Sequence, residues 1–207
     1  MCYTLGKEAR YFSLRRFSRQ ESHRYSAPRI DSETTRLGVN SFLDLDLSEQ
    51  RLGAIEALGW TVPTPIQAEA IPPGLAGTDV VGIAQTGTGK TGAFMIPALE
   101  RLRSGGGLQV LALCPTRELA QQVADDTASL AMGTNIRTAA IFGGVGYGPQ
   151  IEALESGFEV IVATPGRFID HAHSKRVDLS NVNCLVLDEA DRMLDMGFRP
   201  QIEEVLR

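Results

Sequence analysis

Cysteine and histidine are scarce in this chain, with three of each among 207 residues, and their placement excludes several classes of protein. Cys2, Cys114 and Cys184 are odd in number and far apart, which argues against a disulfide framework and against a cysteine zinc site. Cys114 and Cys184 fall inside apolar runs and read as reduced, buried thiols of an intracellular protein. His171 and His173 stand near Lys175 and Arg176 with no third ligand beside them, so they read as solvated side chains rather than metal ligands. No apolar run approaches the roughly 20 residues that a membrane-spanning helix requires. These features predict a cytoplasmic protein. Import into an organelle is the alternative, because the start of the chain is rich in Arg and Ser, although Glu8 and Glu21 interrupt it.

A net positive charge is also lacking: the chain carries −5. The sign is unevenly spread. Residues 1–40 hold eight basic side chains against four acidic ones, leaving the remainder at −9. A basic segment of this kind adds sequence-independent attraction to a polyanion, or is simply a solvated leader. Its low hydrophobicity and lack of any sustained period predict a leader without regular structure over residues 1–40, followed by one α/β domain over 41–207.

The most informative stretch is Ala84-Gln85-Thr86-Gly87-Thr88-Gly89-Lys90-Thr91. Asp79 to Ile83 before it is short and β-branched, whereas Thr91 to Leu102 after it has apolar residues at helical spacing. Strand, glycine loop and helix in that order form a phosphate-binding loop. Gly87 and Gly89 permit positive φ and close approach to an anion, and the following helix directs its free N–H groups there. Lys90 would reach the β and γ phosphates, and the Thr91 hydroxyl would hold Mg²⁺. Ala84 stands where the usual pattern has glycine, a small-for-small change.

Farther along, strands and helices alternate. Strands are predicted at Leu108–Cys114, Ile136–Phe142, Val160–Ala163 and Cys184–Leu187, and helices at Thr116–Met132, Pro149–Ser156, Pro165–His173 and Gln201–Leu206. Near the start of the domain, Ser48 and Thr64 are predicted N-caps, with Gln67 placed as a capping-box residue. Apolar strands alternating with helices imply a parallel sheet covered on both faces, with ligands at the carboxyl ends of its strands. Asp188-Glu189-Ala190-Asp191 follows one such strand. A carboxylate there holds Mg²⁺, partly through water, and its neighbour orients or deprotonates an attacking water; Asp188 takes the first role and Glu189 the second.

With these residues in place, the chain from Phe42 onward resembles the first RecA-like domain of DEAD-box ATP-dependent RNA helicases. Phe42 with residues 59–67 is similar to the family's Q motif and its upstream aromatic, Ala84–Thr91 to motif I, and Pro115-Thr116-Arg117-Glu118-Leu119-Ala120 to motif Ia. Gly143-Gly144 resembles the double-glycine motif, Thr164-Pro165-Gly166-Arg167 motif Ib, and Asp188–Asp191 motif II. The resemblance implies that Gln67 reads the adenine edge, that Phe42 stacks on the base, and that Lys90, Asp188 and Glu189 carry catalysis with ATP and Mg²⁺. It also implies RNA-backbone contacts, without sequence preference, from Pro115, Thr116, Arg117, Gly143, Gly144, Thr164, Pro165, Gly166 and Arg167. Thr116, Gly144 and Thr164 lie at or near predicted helix starts, where free N–H groups suit phosphates; Arg117 and Arg167 serve equally well in ordinary ion pairs.

The family's Ser-Ala-Thr motif does not occur in this sequence. The resemblance therefore implies a domain incomplete at its C-terminus, without the second RecA-like domain that partners it in the full enzyme. It further implies a sheet lacking the strand that lies between the motif I and motif II strands. Two rival readings stand beside this one: a catalytically inactive nucleotide- and RNA-binding fragment, and a different phosphate-loop ATPase such as a DNA helicase.

Overall fold

The computed structural model describes residues 10–16 and 39–206. Six strands form one sheet in the order β2-β1-β6-β3-β5-β4, where β1 is Arg10–Arg16, β2 Val80–Ala84, β3 Val110–Leu113, β4 Thr138–Ile141, β5 Val160–Ala163 and β6 Cys184–Asp188. The ladder from β6 through β3 and β5 to β4 is parallel throughout, with Leu113 level with both Leu187 and Ala163. β3 and β5 are buried at every position. That accounts for their continuous apolar sequences: strands covered on both faces have no polar side to show.

Eight helices surround this sheet among the described residues: α1 Glu49–Ala57, α2 Pro65–Leu75, α3 Lys90–Glu100, α4 Arg117–Leu130, α5 Tyr147–Ser156, α6 Pro165–His173, α7 Ala190–Asp195 and α8 Arg199–Val205. They leave two apolar clusters. One joins Phe94, Met95 and Ile96 of α3 to Val110, Val162 and Val186; the other joins Phe168 and Met193 to Leu111, Leu113, Ile141, Ile161 and Leu185. Residues that alternate along β3 divide between the two, Val110 and Ala112 against Leu111 and Leu113, as the period of two in a strand requires. No helix among the described residues is long and apolar enough to cross a membrane.

Three features differ from the sequence reading. The sequence predicts a leader without regular structure and a sheet with a gap beside the carboxylate strand. Most of that leader lies outside the described residues, but Arg10–Arg16 forms β1 and occupies the gap. β1 runs antiparallel to both neighbours, with Phe12 level with Gly82 on one side and Asp188 on the other. The sheet is therefore parallel except for one inserted strand. Second, α7 begins directly after Asp188-Glu189, where no helix was placed. Third, His171 is 1% exposed rather than solvated.

Candidate functional site

The phosphate loop leaves the carboxyl end of β2, and its glycines do what the pattern requires. Gly87 has φ +82° and Gly89 φ +89°, both in the left-handed region that side chains avoid. A Cβ at Gly89 would stand 2.7 Å from Gln67 Nε2 and 2.9 Å from Thr64 Oγ1, so close packing as well as conformation demands glycine there. Gly89 is the N-cap of α3, whose first residues are Lys90 and Thr91. Lys90 is buried, and its Nζ donates to Ala84 O at 3.2 Å, folding the ammonium across the mouth of the loop. Thr88 Oγ1 donates to Gln85 O at 2.7 Å. The Thr91 hydroxyl hydrogen-bonds the Asp126 carboxyl, whose pKa burial and the neighbouring Asp125 push up while this bond opposes them.

Gln67 is 2% exposed. Its Oε1 accepts from Thr64 N–H at 3.0 Å, which is the capping contact expected from its position, and its Nε2 donates to Gly89 O at 3.1 Å. An amide offers two donors and two acceptor sites, so one of each remains for a ligand. The second bond was not foreseeable from sequence spacing: it makes Gln67 a strut between α2 and the phosphate loop. Phe42 is 3% exposed and stacks on Trp60 with ring centroids 6.4 Å apart, so its packing here is with protein.

At the end of β6, Asp188 and Glu189 are both 3% exposed. Glu189 has φ +51°, uncommon for a residue with a side chain, and is the N-cap of α7. Such backbone strain clusters at functional positions. Arg192 NH1 donates to Glu189 Oε2 at 3.1 Å, one helical turn away. Because Gly82 and Asp188 are both level with Phe12, the phosphate-loop strand and the carboxylate strand stand one strand apart. At about 4.8 Å per strand that separation is roughly 10 Å. Beside them, Cys114 is fully buried, and its thiol pKa is pushed well up by burial and by the charges of Asp188 and Glu189, so it is inert. Burial pushes the Cys184 thiol up to about 12. Cys2 lies outside the described residues.

The other half of the same sheet edge gathers the remaining motifs. Strands β3, β5 and β4 are neighbours and end at Leu113, Ala163 and Ile141, so the three loops that follow lie side by side. Thr116 is the N-cap of α4, accepting from Leu119 N–H at 3.3 Å, and Thr164 is the N-cap of α6. Pro115 and Pro165 are buried. Gly144 has φ +84°, and a Cβ there would lie 3.3 Å from Arg117 NH1, which places the double-glycine loop against motif Ia. Arg117 is exposed and paired with Glu118. Gly166 has open space where a side chain would stand. Arg167 is more constrained: NH1 donates to Val145 O at 3.0 Å and to Gln150 Oε1 at 3.2 Å, and its guanidinium lies 4.0 Å from the Tyr147 ring centroid. The helix expected from Pro149 starts two residues earlier. Tyr147 in fact opens α5, with Gly146 as N-cap.

Comparison with known proteins places the chain among relatives. The family model described as "DEAD/DEAH box helicase" matches residues 64–207. The chain is 47% identical over 174 residues to "DEAD-box ATP-dependent RNA helicase 30" of Arabidopsis thaliana, a match covering 81% of this chain and 29% of that protein. It is 44% identical to "DEAD-box ATP-dependent RNA helicase 20" of Oryza sativa subsp. japonica, covering 81% of this chain and 35% of that one. Among solved structures, a DEAD box protein from the hyperthermophile Methanococcus jannaschii superposes with a TM-score of 0.75 at 41% identity, over 81% of this chain and 46% of that one. The chain thus spans about a third of the length of the relatives it matches.

Proposed function

This chain belongs to the DEAD/DEAH box helicase family, and from that premise we propose that it binds ATP with Mg²⁺ at the β2–β6 half of the sheet edge and single-stranded RNA at the β3–β5–β4 half. In the whole enzyme a second RecA-like domain would close on both ligands, and hydrolysis would drive the remodelling of RNA. The observation that carries this reading is that one edge collects both sets of groups: a positive-φ glycine loop and a buried carboxylate pair one strand apart, next to two helix N-termini and an exposed arginine.

The residues fit the metal. Among the described residues no group of three His, Cys, Asp or Glu could hold an ion unaided. Mg²⁺, however, is usually held by one or two carboxylates with phosphate oxygens and waters, and the hard oxygens of Thr91 and Asp188 supply that protein share. Bound there, it would neutralise charge developing on the phosphates. Lys90 would turn from Ala84 O to the phosphates, the N–H groups after Gly89 would hold their oxygens, and Glu189 would orient and deprotonate the attacking water. Gln67 would offer its remaining donor and acceptor to adenine while its bond to Gly89 O ties base selection to the phosphate loop. Phosphate contacts from Thr116, Gly144 and Thr164 would bind RNA without reading its sequence.

The test separates binding from chemistry. Lys90→Ala should abolish ATP binding by the chain. Glu189→Gln in the full-length enzyme should keep ATP binding and lower RNA-stimulated hydrolysis about 10²- to 10⁴-fold, the usual contribution of a general base. Unchanged hydrolysis by Glu189→Gln would remove the base assignment. Gln67→Ala should weaken ATP by about 1–3 kcal/mol, the worth of a bidentate amide pair, and equal affinity of the unaltered chain for ATP and GTP would reject base selection by Gln67.

A further inference from the structure

One cavity lies off the residues assigned so far. It has a volume of about 350 Å³ and is lined by Tyr147, Ile151, Asp170, His171, His173, Ser174 and Arg176, between α5 and the second half of α6. That is near the lower end of the roughly 300–1,000 Å³ typical of small-ligand sites. Its outer wall is Tyr147, which is 46% exposed yet held on three sides. Arg167 covers one face, His171 meets the ring edge-on at 5.4 Å between centroids, and the phenol donates to Asp170 Oδ2 at 2.9 Å. An exposed aromatic ring fixed this firmly loses little freedom when a second ring stacks on it.

The inner wall supplies the second observation. Gln150 Nε2 donates to Phe142 O at 2.9 Å, which turns Gln150 Oε1 toward Arg167 and toward His171 Nε2, 3.1 Å away. Nε2 must then carry the His171 proton, and Nδ1 is left as an acceptor. His171 is 1% exposed, and Nδ1 has no hydrogen-bond partner. A buried acceptor without a donor is costly and uncommon in native proteins. Burial, together with the charges of Arg167 and Arg176, lowers the His171 pKa and keeps that lone pair free of a proton.

We propose that this cavity receives one nucleobase of the bound RNA, stacked on the open side of Tyr147 with an N–H of its edge directed to His171 Nδ1. The proposal rests on the RNA reading above and deepens it, since it adds a base contact to a track otherwise made of backbone contacts. The acceptors favour a base over an anion, since the Asp170 carboxylate and the Nδ1 lone pair both repel a phosphate and both attract N–H donors, and Arg176, which also lines the cavity, suits the phosphate of the same nucleotide. Position agrees. Tyr147 lies three residues beyond the Gly143-Gly144 loop and under Arg167, and Asp170 is six residues from Thr164, about 9 Å along α6. A base turned away from a backbone held at Thr164 and Gly144 spans that interval. Stacking of bases on aromatic side chains is the common mode by which single strands are read.

The experiment is an abasic scan. Binding of a short single-stranded oligoribonucleotide, and of versions with one abasic nucleotide at successive positions, is measured by fluorescence anisotropy with a non-hydrolysable ATP analogue present. For the unaltered chain, one abasic position should weaken binding about fivefold to a hundredfold while its neighbours change little, the range for one stacked base. Tyr147→Leu should bind the intact RNA as weakly as the unaltered chain binds that abasic RNA, and should lose the positional dependence. Tyr147→Phe, which keeps the ring and loses only the bond to Asp170, should retain it. RNA binding with a flat scan would overturn the pocket and leave the RNA reading standing, as would a Tyr147→Leu protein with an unchanged scan. Failure of the unaltered chain to bind any RNA would overturn the RNA reading itself, and the pocket with it.

Discussion

The two halves of the sheet are built differently, although their ligand groups share one edge. From β6 to β4 the ladder is parallel, its strands are linked by intervening helices, and β3 and β5 are buried along their whole length. From β2 to β6 the sheet closes only through β1, whose residues pair with partners far along the chain: Arg10 with Ala84, and Arg16 with Cys184. The half assigned to RNA therefore rests on pairings about 20 and 50 residues apart in sequence, and the half assigned to nucleotide on a strand whose partners lie about 70 and 170 residues away. Non-local pairing forms late and has few substitutes when lost. Both halves hold positive-φ backbone: Glu189 at φ +51° and Gly89 at φ +89° in the nucleotide half, Lys175 at φ +54° and Gly144 at φ +84° in the other.

The largest effect expected comes from breaking β1. Leu14 is level with Val80 on one side and Val186 on the other, so Leu14→Pro removes an N–H and places a rigid ring in the middle of the ladder. Each backbone group left buried without a partner costs about 1–3 kcal/mol, and a few of them rival the roughly 5–15 kcal/mol that holds a domain together. Denaturant unfolding should show a large loss of stability. In hydrogen exchange the amides of β2 and β6 should lose protection well before those of β5 and β4. Uniform loss across all strands would mean that the halves are one cooperative unit, and no loss at all would mean that β1 does not bind them.

A matched pair of substitutions sharpens the comparison with a smaller effect. A Cβ at Gly92 in α3 would meet Gln67 Nε2 at 2.6 Å and Trp60 Cζ3 at 2.7 Å, whereas a Cβ at Gly166 in α6 meets nothing within 4 Å. Gly92→Ala should cost about 1–3 kcal/mol through overpacking, offset by about 1 kcal/mol of helix propensity, and should weaken ATP binding by displacing Gln67 from Gly89. Gly166→Ala should leave ATP binding alone and preserve or slightly raise stability. Its cost should appear in RNA affinity, since it thickens a helix N-terminus assigned to phosphates. Thermal melts with ATP and RNA titrations measure all of these, and a loss of ATP affinity in Gly166→Ala would erase the division between the halves.

Much of this division was legible in the residues. The glycine loop and its flanking strand and helix were, because turn chemistry and period act locally; β5 and α6 begin and end where their apolar pattern does. Asp188-Glu189 stood out because the apolar strand before them and the phosphate loop agree, which sets a solvated surface turn aside. What stayed hidden was tertiary. Nothing about residues 10–16 predicts a strand, since its order comes from two edges that lie about 70 and 170 positions away. The bond from Gln67 to Gly89 O was invisible for the same reason, as was the burial of Phe42 under Trp60. His171 misled in the opposite sense: a histidine beside Lys175 and Arg176 looks solvated, but α5 folds over it. Tyr147, inside a glycine-rich run, carried no periodic signal at all.

That burial supplies the smallest expected effect, and it marks the β4 side. His171 is held neutral by burial, reinforced by Arg167 and Arg176 on its own element and just beyond it, with Asp170 opposing; from α5 it faces Gln150 and Tyr147, which carry no charge at neutral pH. Its folded pKa lies below the ordinary value of 6.5. Between those two values the unfolded chain binds more protons than the folded one, so stability rises with pH across the window and falls as pH drops from 6.5 toward the folded pKa. Below both values the loss levels off. In His171→Phe, which keeps an aromatic edge against Tyr147, that part of the acid sensitivity should vanish. Urea titrations at a series of pH values, followed by hydrogen exchange at α5 and α6, read the difference. Identical pH dependence in the variant would show that His171 titrates alike folded and unfolded, and would remove the argument that its Nδ1 is kept free of a proton.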